Sequence, residues 1–143
     1  MGSAPVQGPL WGASPKDWAA IAEPGQVPFY EAAFDAIGVK DGMALLDVGC
    51  GAGLALELAH KRGATVSGLD AAEGLLGVAR ERLPDADLRQ GDIEELPFDN
   101  DSFDAVTAFN SVQYATDPTA ALREIKRVAK PSAPVAIATW GPV

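Results

Sequence analysis

Apolar positions along the chain follow two rhythms. Short, nearly continuous apolar runs at 44–48, 65–69, 103–109 and 135–140 have the length and density of strands covered on both faces. Between them, apolar residues recur every three or four positions, which predicts helices. One spans 54–62 with Leu54, Leu58 and Ala59 on one face, and another 72–83 with Leu75, Leu76 and Ala79 inward. A third opens at Asp117-Pro118 and sets Leu122, Ile125 and Val128 on a shared face. Lys61, Arg62 and Gly63 end the first of these helices and Pro84 the second. A short strand at 87–90 precedes Gly91-Asp92-Ile93 and an acidic loop at 94–102. Strands separated by helices of this length build right-handed βαβ units, hence an α/β domain with a parallel sheet and helices on both faces.

Upstream of the first strand the pattern changes. Gly2, Pro5, Gly8, Pro9 and Gly12 give residues 1–13 the composition of a flexible tail. Ser14-Pro15-Lys16-Asp17 reads as a helix start, with Ser14 as N-cap, Pro15 at the first position and Asp17 as the capping-box acid. Trp18, Ile21 and Ala22 would then face inward until Pro24-Gly25 stops the helix. A second helix, from about residue 28, carries Phe29, Ala33, Phe34 and Ile37 and closes at Gly38. Residues 14–38 thus form a helical flank or lid ahead of a core domain at 39–143.

The first strand runs into Gly49-Cys50-Gly51-Ala52-Gly53 and directly on into a helix. Glycines at alternate positions let the backbone turn sharply and approach a ligand with no Cβ atoms in the way. Ligands of open α/β sheets bind at the carboxyl ends of the strands. Asp70, 23 residues after Asp47 and at the end of the second strand, has the spacing of an acid that accepts hydrogen bonds from ribose hydroxyls. The same carboxylate also reads as the N-cap of the helix that follows. The turn departs from the dinucleotide pattern G-x-G-x-x-G, because Leu54 stands where the third glycine belongs, and no G-x-x-x-x-G-K-[ST] loop occurs. A pyrophosphate is therefore disfavoured.

Composition narrows the classes further. With 143 residues, 48% of them hydrophobic, the chain fits one domain with a real core. Its 20 acidic against 11 basic side chains argue against nucleic acid as partner. The basic residues at 80–89 and 123–130 are interleaved with acids and read as solvated helix faces. No apolar run approaches the roughly 18 residues of a membrane span, and no charged start followed by an apolar core marks a secretory signal. The expectation is a cytoplasmic protein with no membrane partner. A single cysteine excludes an internal disulfide, and with a single histidine it makes no zinc set, so no metal is expected.

On these motifs the chain resembles the class I S-adenosylmethionine-dependent methyltransferases, most closely those with methyltransferase type 11 domains that act on small molecules. Leu46-Asp47-Val48-Gly49-Cys50-Gly51-Ala52-Gly53 resembles the family's first motif, Val66-Ser67-Gly68-Leu69-Asp70 its ribose-binding motif, and Gly91-Asp92-Ile93-Glu94-Glu95-Leu96-Pro97-Phe98 its adenine-binding motif. Ser102-Phe103-Asp104-Ala105-Val106 resembles its fourth strand and Leu122-Arg123-Glu124-Ile125-Lys126-Arg127-Val128 the helix before its fifth, in matching order over about 39–140. The resemblance implies a Rossmann-like three-layer sandwich of strand order 3-2-1-4-5. It also implies S-adenosyl-L-methionine as cofactor and S-adenosyl-L-homocysteine as product. Carried over by position, it implies that Gly49 and Gly51, with Cys50 between them, approach the methionine part of the cofactor. Asp47 sits near its amino group, directly or through water. Asp70, with Ala71 beside it, holds the ribose, Asp92 and Ile93 contact adenine, and Phe109 and Asn110 line the methyl-transfer pocket. Read for themselves, Asp47 is also a turn-capping carboxylate, Asp92 an Asx-turn residue, and Asn110 and Gln113 helix-start polar groups.

The implied reaction is attack by an acceptor nucleophile on a sulfonium methyl, driven by positioning and desolvation. No catalytic residue is nominated. His60 falls mid-helix as a surface residue, and Cys50, with no histidine near it in sequence, reads as a backbone-contact residue rather than a nucleophile. Phe109-Asn110-Ser111-Val112 departs from the Asn-Pro-Pro-Tyr type motif of methyltransferases acting on base or glutamine amino groups, which with the acidic charge favours a small-molecule acceptor. Trp18, Phe29 and Tyr30 read either as an apolar wall over that acceptor or as core. The family's domain continues beyond the fifth strand, so 135–139 would be an open apolar edge, expected in a fragment of a longer chain or in a homodimer paired through it. Two competing readings are a non-catalytic module that binds S-adenosylmethionine and a nicotinamide-dependent oxidoreductase, which the glycine spacing and Asp92 count against.

Overall fold

The computed structural model of the chain describes residues 2–139. Five strands, β1 (Ala44–Val48), β2 (Thr65–Asp70), β3 (Asp87–Gln90), β4 (Ala105–Phe109) and β5 (Val135–Ala138), pair in parallel in the order β3-β2-β1-β4-β5. Class and strand order are those expected from sequence. Side chains alternate across a strand, and β1 uses the alternation to serve two cores at once. Leu45 joins Phe34, Leu56 and Phe109 on one face, while Leu46 and Val48 join Val106, Ile125 and Val128 on the other. Helices α3 (Val27–Ile37) and α4 (Leu54–Lys61) pack on the first face together with Leu76 of α5 (Glu73–Arg82). Helix α6 (Pro118–Val128) and the loop after β3 cover the second.

Several faces are rotated from their expected positions. In α4 the buried residues are Ala55, Leu56 and Ala59, while Leu54 and Leu58 are half-buried. Leu54 opens the helix at the carboxyl end of the sheet and borders open space there rather than the core. In α6 the inward stripe is Ala121, Ile125 and Val128, at positions i, i+4 and i+7, which leaves Leu122 42% exposed. Strand β4 begins at Ala105, because Phe103 makes only an isolated bridge to Ala129. Strand β5 ends at Ala138, and Trp140 lies outside the described residues. Its Val135 and Ile137 are exposed at the edge of the sheet.

The largest correction concerns the N-terminus. Residues read as a tail form helix α1 (Ala4–Trp11) despite Pro9 inside it, so tertiary contacts rather than propensity hold it. Helix α2 (Pro15–Asp17) is short, and Ser14 caps no amide with its side chain. The backbone then widens into a π turn over Trp18–Ala22 and tightens into a 3₁₀ turn over Glu23–Gln26, which leads into α3 without the expected stop. That widening shifts the helical face, and Ile21 is 79% exposed instead of inward. Gly38 closes α3 with φ +71°, as expected.

Candidate functional site

At the carboxyl end of β1 the chain turns through Gly49, Gly51 and Gly53, with φ of +81°, +56° and +87°, a region costly for residues with a Cβ. The end of β2 is the frame on which the turn is wound. Gly49 and Cys50 N–H both donate to the Leu69 carbonyl, at 2.8 and 2.9 Å, and Gly51 N–H donates to Asp70 Oδ2 at 2.8 Å. A Cβ on Gly49 would fall 2.4 Å from that of Ser111, whose hydroxyl is turned in to donate to the Val48 carbonyl at 2.8 Å. A Cβ on Gly51 would meet nothing within 4 Å, because this residue faces an open cleft.

The cleft opens to solvent and has a cavity volume of about 130 Å³. Gly49, Cys50, Gly51, Asp70, Ala71, Asp92, Ile93, Phe109 and Asn110, proposed from sequence, all border it. Asp47 does not. The β1–β4 register sets it opposite Thr107, whose hydroxyl donates to Asp47 Oδ1 at 2.8 Å, and only 2% of Asp47 is exposed. Burial, opposed by that hydrogen bond and reinforced by the charge on Asp70, pushes the Asp47 carboxyl up to about 7.

Asp70 is both turn brace and helix-start acceptor. Its Oδ1 takes the Ala72 N–H at 2.8 Å while Oδ2 holds Gly51, and each oxygen keeps a lone pair for hydroxyl donors in the cleft. Burial raises its pKa, and the amides of Ala72, Gly51 and Ala71 oppose the shift. Asp92 makes the Asx turn, accepting the Glu94 N–H at 2.9 Å, and its other oxygen accepts the Ala4 N–H at 2.9 Å. Asn110 has φ +53°, a conformation Asn tolerates, and donates its N–H to the Ala138 carbonyl at 2.7 Å.

Sequence reading expected a flank or lid only from residues 14–38 and missed what helix α1 adds to the cover of this cleft. Helix α1 contributes Gln7 and Trp11 to the lining, and its Gly8 lies so close that a Cβ there would sit 2.5 Å from the Ala71 carbonyl oxygen. Trp11 meets Trp18 and Tyr114 edge-on, with ring centroids 5.5 and 5.6 Å apart. Trp18 and Tyr30 border the cleft, whereas Phe29 stands outside it, 43% exposed and edge-on to Phe109. Burial and the charges on Asp47 and Glu23 raise the Tyr30 hydroxyl's pKa, so it keeps its proton. Glu23, also on the lining and 3% exposed, pairs with Arg82 at 2.7 Å, and Arg82 further donates to the Ala52 carbonyl at 3.0 Å. Burial raises the Glu23 pKa and Arg82 opposes it. A lone acid before Pro24 carries no periodic signal that would have marked it.

Arg127 corrects the reading of 123–130 as a merely solvated face. Its guanidinium donates to the carbonyls of Leu96 and Phe98, both at 2.8 Å, and to Glu124 at 2.7 Å. Glu124 in turn accepts the Leu96 N–H at 2.9 Å, so α6 grips the acidic loop that presents Asp92 and Ile93.

Charge defines what the cleft accepts. Among its described lining residues there is no Lys, Arg or His, while Glu23, Asp70 and Asp92 are carboxylates. Such a surface suits hydroxyl and cationic donors and offers no side-chain cation to a phosphate. Cys50 is buried and its thiol pKa is raised, first by burial and then by Asp70 and Asp47, which makes it an inert packing residue. His60 is exposed on α4, away from the cleft. Among the described residues no His, Cys, Asp and Glu group could hold a metal, and no helix is long and apolar enough to cross a membrane.

Comparison with known proteins agrees with this geometry. The family model described as "Methyltransferase domain" matches residues 46–137. A demethylmenaquinone methyltransferase of Renibacterium salmoninarum is 39% identical over 113 residues, covering 76% of this chain and 48% of the relative. A ubiquinone biosynthesis O-methyltransferase of Alkalilimnicola ehrlichii is 38% identical over 108 residues, covering 72% and 44%. The chain therefore spans about half the length of the curated relatives it matches. The crystal structure of a SAM-dependent methyltransferase from Aquifex aeolicus superposes with TM-score 0.76 at 26% identity, over 88% of this chain and 72% of that one. With a family match that runs from the middle of β1 through the glycine turn into β5, the chain belongs to the methyltransferase domain family.

Proposed function

We infer that the cleft binds S-adenosylmethionine and that the protein methylates a small-molecule acceptor. The observation that carries this reading is Asp70, a carboxylate held by the amides of Gly51 and Ala72 at the end of β2 and open to a cleft with no side-chain cation among its described lining residues. Acceptor lone pairs fixed in this way suit a ribose diol. Gly49 and Gly51 would receive the amino-acid end and Ile93, with Asp92, the base. When bound, the cofactor supplies an activated sulfonium methyl group.

The chain's own residues do the rest. Helix α1 and Trp18 exclude water, and Phe109 and Tyr114 present apolar faces that orient an acceptor. With Glu23 paired to Arg82, the lining carboxylates Asp70 and Asp92 favour a cationic donor over an anionic ligand. Relatives named for demethylmenaquinone and ubiquinone biosynthesis support a small-molecule acceptor.

Calorimetric titration with S-adenosylhomocysteine tests the reading, with Asp70→Ala and NADH as controls. Binding in the micromolar range that is lost in the variant, with no response to NADH, is expected. A folded chain that ignores S-adenosylhomocysteine, or one that takes up NADH, would overturn it. The coverage of only about half of each curated relative favours a second reading, cofactor binding without turnover by this chain alone. Demonstrated cofactor binding with no methyl transfer to a panel of phenols and quinols would select it.

A further inference from the structure

We propose that Glu94 is a positioning residue that joins the N-terminal helix and the loop after β4 into one cover over the cleft. The proposal rests on the reading of that cleft as an adenosyl site. Three backbone amides converge on the Glu94 carboxylate from two distant parts of the chain. Ser3 N–H, at the start of α1, donates to Oε2 at 3.2 Å. Thr116 and Asp117 N–H, just ahead of α6, donate to Oε2 and Oε1 at 3.1 and 3.0 Å.

Glu94 is itself held in place. Its N–H donates to Asp92 Oδ1 at 2.9 Å, and the other Asp92 oxygen takes the Ala4 N–H. A second, independent contact joins the same two segments, since Trp11 of α1 lies edge-on to Tyr114 at 5.6 Å. Both segments border the cleft, α1 through Ser3, Ala4 and Trp11, and the loop through Asn110, Ser111 and Tyr114. Helix α1 stands beside Asp92 and Ile93, at the base end, whereas the loop flanks the glycine turn, where Ser111 lies against Gly49. One carboxylate therefore makes the two ends of the cleft open and close together.

The chemistry of the side chain supplies a graded test. A carboxylate accepts at both oxygens, but a carboxamide accepts at only one. Glu94→Gln therefore gives up at least one of the three amides, since an oxygen in the Oε2 place keeps Ser3 and Thr116 but frees Asp117, and one in the Oε1 place keeps Asp117 alone, while Glu94→Ala releases all three.

Hydrogen exchange read by mass spectrometry on the full chain, with and without S-adenosylhomocysteine, tests the proposal. In the ligand-free wild-type protein, peptides covering 2–12 and 110–118 exchange at matched rates, and ligand slows both. In Glu94→Ala both exchange about tenfold faster while β1 and β2 are unchanged, and the ligand dissociates about tenfold faster. With 5-fluorotryptophan incorporated, the Trp11 fluorine resonance, assigned through Trp11→Phe, shifts in Glu94→Ala. A role in stability alone would lower the melting temperature without moving that resonance or the paired exchange. If only one segment is released in Glu94→Ala, or neither is, the coupling does not exist and the proposal is wrong. Should Glu94→Ala fail to fold, Glu94→Gln decides, because either placement of its single accepting oxygen frees an amide at 116 or 117, so faster exchange in 110–118 is expected and an unchanged exchange map refutes the proposal. A wild-type chain that does not bind S-adenosylhomocysteine would sink the adenosyl reading, while the ligand-free exchange would still decide the coupling.

Discussion

Asp70 and Glu94 both accept backbone amides, but they tie the chain together over very different spans. Asp70 reaches Ala72, two residues on, and Gly51, 19 residues back, all inside one βαβ unit. Glu94 reaches Ser3, 91 residues away. The base of the cleft is thus built within the sheet's own units, whereas its cover is held by a few polar and aromatic contacts between distant parts of the chain. Damage to the base should cost stability and binding together, and damage to the cover should cost binding alone.

Core and periphery differ most sharply at Phe34 and Phe29 of α3, since both touch Phe109 but only Phe34 is fully buried. Urea unfolding should show Phe34→Ala losing about 4 kcal/mol and Phe29→Ala less than about 1 kcal/mol. Equal losses would erase the distinction. Next in size is Gly49→Ala, which places a Cβ 2.4 Å from Ser111 Cβ at a positive φ. It should lose about 3 kcal/mol and all measurable S-adenosylhomocysteine binding by calorimetry.

The third effect follows from Asp47. Its folded-state pKa of about 7 lies above the ordinary 3.8, so the folded protein holds that proton more tightly than the unfolded chain does. Stability should fall as pH rises from about 4 through about 7 and then level off, by about 2 kcal/mol between pH 5 and pH 7. Comparing Asp47→Asn with wild type across that window isolates the contribution, because Glu23 and Asp70 are shifted in the same direction in both. A difference that stays constant with pH would show that Asp47 is already ionised. Smallest in stability is Trp11→Ala, expected to change it by less than about 0.5 kcal/mol while weakening S-adenosylhomocysteine several-fold. A cooperative loss of fold in Trp11→Ala would mean that the cover belongs to the core.

The same division explains what could be read from sequence. Strand β3, the ending of β2 at Asp70 and the glycine turn are local features, set by apolar runs and by the few residues that tolerate φ above zero, and they stand where the pattern put them. Nine of the ten proposed cleft residues border the cleft because they sit at strand ends or in the loops that follow them. Asp47 breaks the pattern because the strand period turns it toward Thr107. Helix α1 was not legible, since Gly2, Pro5, Gly8, Pro9 and Gly12 compose a tail and only Asp92, Glu94 and Ala71 make them a helix with a seat. Glu23 and Arg127 escaped for the same reason. Their partners, Arg82 at 59 residues and Leu96 at 31, are invisible to any local window.

The 91 residues between Ser3 and Glu94 also have a meaning in time. During synthesis the N-terminal segment exists for about 5 to 20 s before its acceptor is made, at roughly 5 to 20 residues per second. Through that interval Trp11 has neither the Glu94 seat for its helix nor Tyr114 to pack against, so the cover can close only after the loop beyond β4 has been made.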